Sequence, residues 1–388
     1  MENIFEIDKK YIADTYARFP VQITGGKGSR VTDVNGREYI DLGTGIAVNI
    51  FGVADDEWIK AVSSQLMKFQ HTSNLYYSEP CALLAKTICE KTGMSRVFFS
   101  NSGAEANECA IKAARKYACD KKGADYYNII TLKNSFHGRT ITTLAATGQD
   151  SFHQMFLPLT EGFVYAEANN IDDIRKKVAE NKIAAIMFEV VQGEGGVNAL
   201  DLEFVSELYR IAEENDILLI ADEVQIGNGR SGMLYGYMNY GIKPDIFTTA
   251  KGLGGGLPIG ATVLSEKVSG VYTPGTHGST FGGNPVCCAG ALSIIGRLDD
   301  DLLSGVRERS EYIKKALENA DGVEDVSGLG LMLGITTTRP AKDVVMDCIE
   351  NGVLVLTAKT KVRLLPALNI PMDDLKEAID ILKKVCAG

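Results

Sequence analysis

Three stretches of the sequence set reactive side chains among small neighbours. In TTAKGLGGGLPIGA (248–261), Lys251 follows an apolar run and precedes a cluster of glycines. A lysine at the end of a buried strand loses solvation, its pKa falls, and its amine becomes a nucleophile toward an aldehyde. A solvated surface lysine is the plainer alternative. In ILLIADEVQIGNGRSG (217–232), an apolar strand delivers Asp222 and Glu223 at its carboxyl end, where parallel strands open on a ligand crevice. An acid there binds magnesium in a nucleotide hydrolase or holds a protonated ring nitrogen. GGKGSR (25–30) lacks the phosphate-loop spacing that the first reading needs. In NSGAEANECAIKAARK (101–116), Ser102, Gly103 and Ala104 open a helix. Free N–H groups and the helix dipole favour a phosphate there, with a plain N-cap by Ser102 or Asn101 as the alternative.

A phosphate cradle, a carboxylate for a pyridinium nitrogen and an amine for a Schiff base are together what pyridoxal 5'-phosphate requires. The aspartate keeps the ring nitrogen protonated, so that the ring accepts the electron pair of a broken substrate bond, and the lysine moves the proton. Two other classes compete. Gly227, Gly229 and Gly232 fit GxGxxG, the mark of a nicotinamide-dependent oxidoreductase. DEVQI intervenes after the strand, however, no clear helix follows, and no acid is well placed about 20 residues on. A catalytically silent scaffold is the other, and intact Lys251, Asp222 and Arg139 argue against it.

These groups need a frame. Short apolar runs recur at 96–100, 127–132, 183–191, 217–224, 246–250 and 261–265, several apolar on both faces as strands of a covered sheet are. Helical periodicity lies between them. After Ser102, Ala106, Cys109, Ala110, Ala113, Ala114 and Tyr117 recur at three- and four-residue steps, with Lys112, Arg115 and Lys116 on the other side. The alternation predicts an α/β fold with a mainly parallel sheet. Residues 1–50 hold a hairpin-like stretch around Asn35-Gly36. Beyond 286, GLGLMLGITTT, GVLVLT and an amphipathic tail predict a smaller α+β unit. The expected division is 1–50 as an N-terminal part of the small domain, 51–285 as the large cofactor-binding domain, and 286–388 as the C-terminal small domain.

Composition narrows the partners. The 388 residues are 45% hydrophobic and 23% charged, with a formal net charge of -10. A basic stripe for nucleic acid is missing. No run approaches the roughly 18 to 20 apolar residues of a membrane span, and the acidic, polar MENIFEIDKK is unlike a secretory leader. The expectation is a cytoplasmic protein. Eight cysteines without a CxxC pair and four histidines without ligand spacing predict neither a disulfide framework nor a metal site.

At this point the sequence resembles a known family, the class III aminotransferases of pyridoxal-phosphate fold type I. The blocks are TYARFPV (15–21), GIAVN (45–49), HTSNLYYSEP (71–80), NSGAEANE (101–108), FHGRT (136–140), QGEGGV (192–197), DEVQ with GRSG (222–225, 229–232), AKGLGGGLPIGA (250–261) and HGSTFGGNP (277–285). The resemblance implies a large domain with a seven-stranded-type sheet and a small domain built from both chain ends. It implies Lys251 as the Schiff-base lysine, Asp222 on the ring nitrogen and Gln225 on the ring hydroxyl. Ser102, Gly103 and Ala104 are then on the phosphate, Phe136 on a ring face, and Glu223 and Val224 beside Asp222 among the cofactor contacts. Thr280 completes the phosphate site from the other subunit of a homodimer.

Within the family, the resemblance is to the branch that moves the δ-amine of N2-acetyl-L-ornithine to 2-oxoglutarate in arginine biosynthesis. Donors such as N-succinylornithine, ornithine or 4-aminobutyrate are the alternatives inside the family. Arg139 is then the anchor for the carboxylate farthest from the reacting amine. Glu194 and Arg363 form a switch: Arg363 binds the α-carboxylate of glutamate, and Glu194 covers it when a δ-amine enters. Ser279 and Tyr16 complete the substrate contacts. Gly45 stands where relatives that take ornithine carry an aromatic residue, which implies an acylated donor. FGVADDEW (51–58) and Val190 depart from the family pattern without removing a reactive group.

Overall fold

The computed structural model describes residues 3–388. Its centre is a seven-stranded sheet in the order Arg96–Ser100, Gly260–Leu264, Ile246–Thr249, Leu218–Asp222, Ile183–Phe188, Asn128–Leu132 and Phe163–Ala166. Gly260–Leu264 runs antiparallel to both neighbours; the other pairings are parallel. Every residue of the strands 183–188, 218–222, 246–249 and 260–264 is buried, the consequence of helices covering both faces. Phe163–Ala166 was not among the expected strands. It is a short edge strand, only partly buried, and carries no long apolar run.

The helix Gly103–Lys122 lays Ala106, Cys109, Ala110, Ala113 and Ala114 on the sheet, all fully buried. Small side chains at these steps bring its axis close to the strands. Its first turn thereby meets the carboxyl ends of the parallel strands, where Asp222 pairs in register with Thr248.

The chain ends share a sheet. Ile23–Lys27, Arg30–Asp33 and Glu38–Asp41 form a meander, and Val353–Leu354 joins it parallel to Glu38–Asp41. A second antiparallel sheet runs Val323–Leu329, Met332–Thr337, Lys361–Leu364, Leu356–Ala358. Two expected strands are therefore divided. GLGLMLGITTT turns at Gly330, whose positive φ and contact with the Arg230 carbonyl leave no room for a Cβ. GVLVLT sends Val353–Leu354 to one sheet and Leu356–Ala358 to the other. The expected boundary at 285/286 falls at the start of the helix Pro285–Gly296, which packs on Asp56–Leu66 and Glu79–Thr92.

Arg230 ties the units together. Fully buried, it donates to the carbonyls of Leu331 (2.9 Å) and Pro366 (2.8 Å), and burial pushes its guanidinium down to about 9. Among the described residues no helix is long and apolar enough to cross a membrane.

Candidate active site

A cavity of about 500 Å³ opens at the carboxyl ends of the parallel strands. It is lined by Ser102, Gly103 and Ala104 from the helix start, Phe136 and Arg139 from the loop after Asn128–Leu132, Asp222, Val224 and Gln225, and Lys251. Four segments distant in sequence thus converge, as the crevice rule for parallel sheets predicts.

Lys251 follows Ile246–Thr249 and begins a single 3-10 turn. Its φ of 42° is left-handed, strained for a residue with a Cβ. Burial lowers its pKa; Arg363 adds to that, while Glu194, Asp222 and Glu189 oppose it. The net effect favours the free amine.

Asp222 is 4% exposed, and three protein donors converge on its carboxylate. Oδ2 accepts from Asn107 Nδ2 and His137 Nδ1, each at 2.8 Å, and Oδ1 accepts from the Val224 N–H at 3.1 Å. Asn107 is held in turn by the Thr248 hydroxyl at 2.7 Å and itself donates to the His137 carbonyl. An ionised carboxylate is an acceptor only, so His137 donates from Nδ1. Its buried Nε2 has no partner among the described residues.

Glu189 follows the strand Ile183–Phe188, 5% exposed, and accepts the Phe136 N–H at 2.9 Å. Burial, with the Asp222 charge added, pushes its carboxyl well above the usual range.

At the helix start Ser102 does cap. Its Oγ accepts the Glu105 N–H at 3.2 Å, and Glu105 accepts the Asn101 N–H at 2.9 Å. Capping leaves other first-turn N–H groups without intrahelical partners. A Cβ on Gly103 would stand 2.6 Å from Val224, so only glycine lets this turn close on the Asp222 loop.

Arg363 is 3% exposed in strand Lys361–Leu364. Its Nη1 meets Glu194 Oε1 at 2.6 Å and Gln225 Oε1 at 3.1 Å, and Gln225 Nε2 reaches Glu194 Oε1 at 3.3 Å. Burial alone would raise Glu194; the Arg363 charge and hydrogen bond more than reverse that and hold it low. Arg139, by contrast, is exposed and has no ion-pair partner among the described residues.

Some expected contacts lie elsewhere. Glu223 does not line the cavity: it points the opposite way from Asp222, accepting the N–H groups of Gly236 (2.6 Å) and Tyr237 (2.7 Å). Alternation along an extended chain puts consecutive side chains on opposite sides. Tyr16 is 70% exposed and lines a second cavity, of about 510 Å³, together with Gly45, Ile46 and Asn49. Val48 lines the first cavity and the next residue, Asn49, the second. Thr44, Gly45, Ile46 and Ala47 before them all take φ between 47 and 63°. Ser279 Oγ accepts from Asn101 Nδ2 at 3.2 Å, beside the helix start, whereas Thr280 is exposed and off its own chain's cavity. His137, Asn107, Thr248 and Glu189 were not anticipated. Asn107 left a signal, a polar residue on the alanine face of its helix.

The donor set suits pyridoxal phosphate. A buried carboxylate held by three donors and a lysine whose amine burial depresses both line the cavity, and a helix start supplies N–H groups for a phosphate.

The sequence profile of the family Aminotransferase class-III matches residues 11–386. The chain is 49% identical over 386 residues to an acetylornithine aminotransferase of Haemophilus ducreyi, covering 99% of this chain and 98% of that one. It is 45% identical to the one of Aquifex aeolicus, covering 97% and 99%. An ornithine aminotransferase of Toxoplasma gondii, with pyridoxal phosphate at partial occupancy in its active site, superimposes with a TM-score of 0.95 at 31% identity, covering 99% and 94%.

Proposed function

From its membership of the class III aminotransferases, we propose for this chain one transamination cycle in which the reactive residues described above each have a place. The protein is a pyridoxal-phosphate-dependent transaminase, and its amino donor is N2-acetyl-L-ornithine, whose δ-amine it removes to leave N-acetyl-L-glutamate 5-semialdehyde. The acceptor is 2-oxoglutarate, which becomes L-glutamate, and the setting is arginine biosynthesis in the cytoplasm. The observation that carries this reading is a single cavity lined jointly by Lys251, Asp222 and Arg139, with Arg363 already covered by Glu194.

When bound, pyridoxal phosphate supplies an aldehyde for the amines and a ring that draws electrons from the substrate carbon. Ser102, Gly103 and Ala104 would hold its phosphate, Phe136 and Val224 its ring faces, Asp222 its ring nitrogen and Gln225 its ring hydroxyl. Asp222, held in place by Asn107, His137 and Val224, would accept a hydrogen bond from a proton on that nitrogen. Lys251, as free amine, takes the proton from the substrate carbon that bears the amine and returns it elsewhere. Arg139 binds the far carboxylate of either substrate. For glutamate, Glu194 swings aside and Arg363 binds the α-carboxylate; for acetylornithine the pair stays closed. Ser279, hydrogen-bonded to the cavity residue Asn101, would contact the donor's acyl end.

The site is completed by a second copy of the chain. Thr280 is exposed here, and Leu75, Tyr76, Tyr77 and Phe281 are large apolar side chains left uncovered. In a homodimer Thr280 of the partner subunit would join the phosphate contacts.

The test compares N2-acetyl-L-ornithine, N-succinylornithine, ornithine and 4-aminobutyrate as donors to 2-oxoglutarate with the purified holoenzyme. N2-acetyl-L-ornithine is expected to give the highest kcat/KM. A clear preference for 4-aminobutyrate, which has no acylamino group, or for free ornithine overturns the assignment. A fully active monomer in sedimentation overturns the shared site.

A further inference from the structure

The guanidinium of Arg139 lies between two aromatic rings. Its Cζ is 4.7 Å from the ring centroid of Phe152 and 5.5 Å from that of Phe136. The rings themselves meet edge-on, with centroids 5.9 Å apart and planes at 69°. Phe136 belongs to the cavity wall, whereas Phe152 stands outside it in the short helix Asp150–His153.

That short helix is fixed to the element that carries Arg139. Arg139 directly precedes Thr140, which with Thr143 caps the helix Ile141–Ala146. His153 Nε2 closes on the far end of the same helix, at the carbonyls of Leu144 (3.0 Å) and Thr147 (2.7 Å). Gln149 Nε2 returns to the Ser135 carbonyl at 3.0 Å. The segment 135–153 is therefore one closed unit, with Arg139 and Phe152 brought together across it. A long exposed arginine has many rotamers, and ordering it on binding has an entropic cost. Cation–π contact with two rings reduces that cost beforehand and leaves the guanidinium edge free for a carboxylate.

We propose that Phe152 is a positioning residue for substrate recognition, clasping Arg139 with Phe136 so that its guanidinium is held across the cavity mouth for the substrate's far carboxylate. This rests on the reading of Arg139 given above.

The test uses holoenzyme and two readouts. Glutarate, a dicarboxylate with no amine or ketone to exchange, is titrated by calorimetry. Single turnovers with N2-acetyl-L-ornithine and with pentylamine, which lacks a carboxylate, are followed through the cofactor absorbance. Phe152→Leu is expected to raise the Kd for glutarate and the KM for acetylornithine by about two- to tenfold. The limiting rate and the pentylamine kinetics stay as in wild type, and Phe152→Tyr keeps wild-type binding. Wild-type glutarate binding in Phe152→Leu, or an equal loss with pentylamine, overturns the proposal. Arg139→Lys separates the two readings. If it weakens glutarate strongly while Phe152→Leu does not, only the role of Phe152 falls; if it leaves glutarate unchanged, the role of Arg139 falls and that of Phe152 with it.

Discussion

Glu194 covers Arg363: Oε1 and Nη1 stand 2.6 Å apart, with Gln225 hydrogen-bonded to both. Arg363 is almost wholly buried and its Nε has no partner among the described residues, so the carboxylate that covers it decides whether a buried cation is exposed to the incoming substrate. A guanidinium is costly to bury unpaired.

Removal of that cover should change which substrate the enzyme prefers. Glu194→Gln leaves Arg363 uncompensated and ready for the α-carboxylate of glutamate. We expect the ratio of kcat/KM for glutamate over acetylornithine to rise by about tenfold or more, measured in the separate half-reactions. An unchanged ratio refutes the switch.

Asp222 faces three donors, from Asn107, His137 and Val224. In Asp222→Asn one oxygen becomes an NH₂ group that opposes at least one of them. Transamination should fall on the order of a hundredfold or more, and unfolding free energy by about 1–3 kcal/mol. Steady-state kinetics and urea unfolding check both; wild-type kcat in this variant would rule out the role given to Asp222.

Lys251 combines a left-handed φ with a desolvated amine, a conformation the surroundings impose. Lys251→Ala should lose about 10²- to 10⁴-fold in transamination. Without cofactor, Lys251→Gly, which has no Cβ to strain at that φ, should be at least as stable as Lys251→Ala, which keeps it, with a gain of about 1 kcal/mol. Calorimetry of the two apo-variants decides; a lower melting temperature for Lys251→Gly contradicts the strain argument.

Glu223 supplies a pH dependence of stability. Burial raises its carboxyl from 4.5 to about 7, so the folded chain keeps a proton that the unfolded chain releases. Its contribution is fully present below the unfolded value of about 4.5 and is lost as pH rises through about 7, amounting to roughly 3 kcal/mol. The difference in unfolding free energy between wild type and Glu223→Gln should therefore decline between those values and level off above. A flat difference across that window means that Glu223 does not titrate in it.

Much of the frame could be read in the chain. Runs such as Leu218–Asp222 and Ile246–Thr249 are apolar on both faces because helices cover both, and their ends locate Asp222 and Lys251. The partners of those residues were hidden for a physical reason. Asn107, His137 and Thr248 meet Asp222 only through strand register and helix packing, and register leaves no fixed spacing in sequence. Glu223 was misplaced because adjacency to Asp222 suggested a shared direction, whereas the extended backbone turns neighbours apart. The division of GVLVLT between two sheets was equally invisible, since both halves have the same apolar pattern.

The pairing of Glu38–Asp41 with Val353–Leu354 has a consequence for how the molecule comes into being. Glu38–Asp41 leaves the ribosome about 300 residues ahead of Val353–Leu354 and lacks that neighbour until residue 354 has followed. The amino-terminal meander must wait, partnerless, through the synthesis of the entire central sheet, and a nascent chain halted before residue 353 would expose that open edge to other chains.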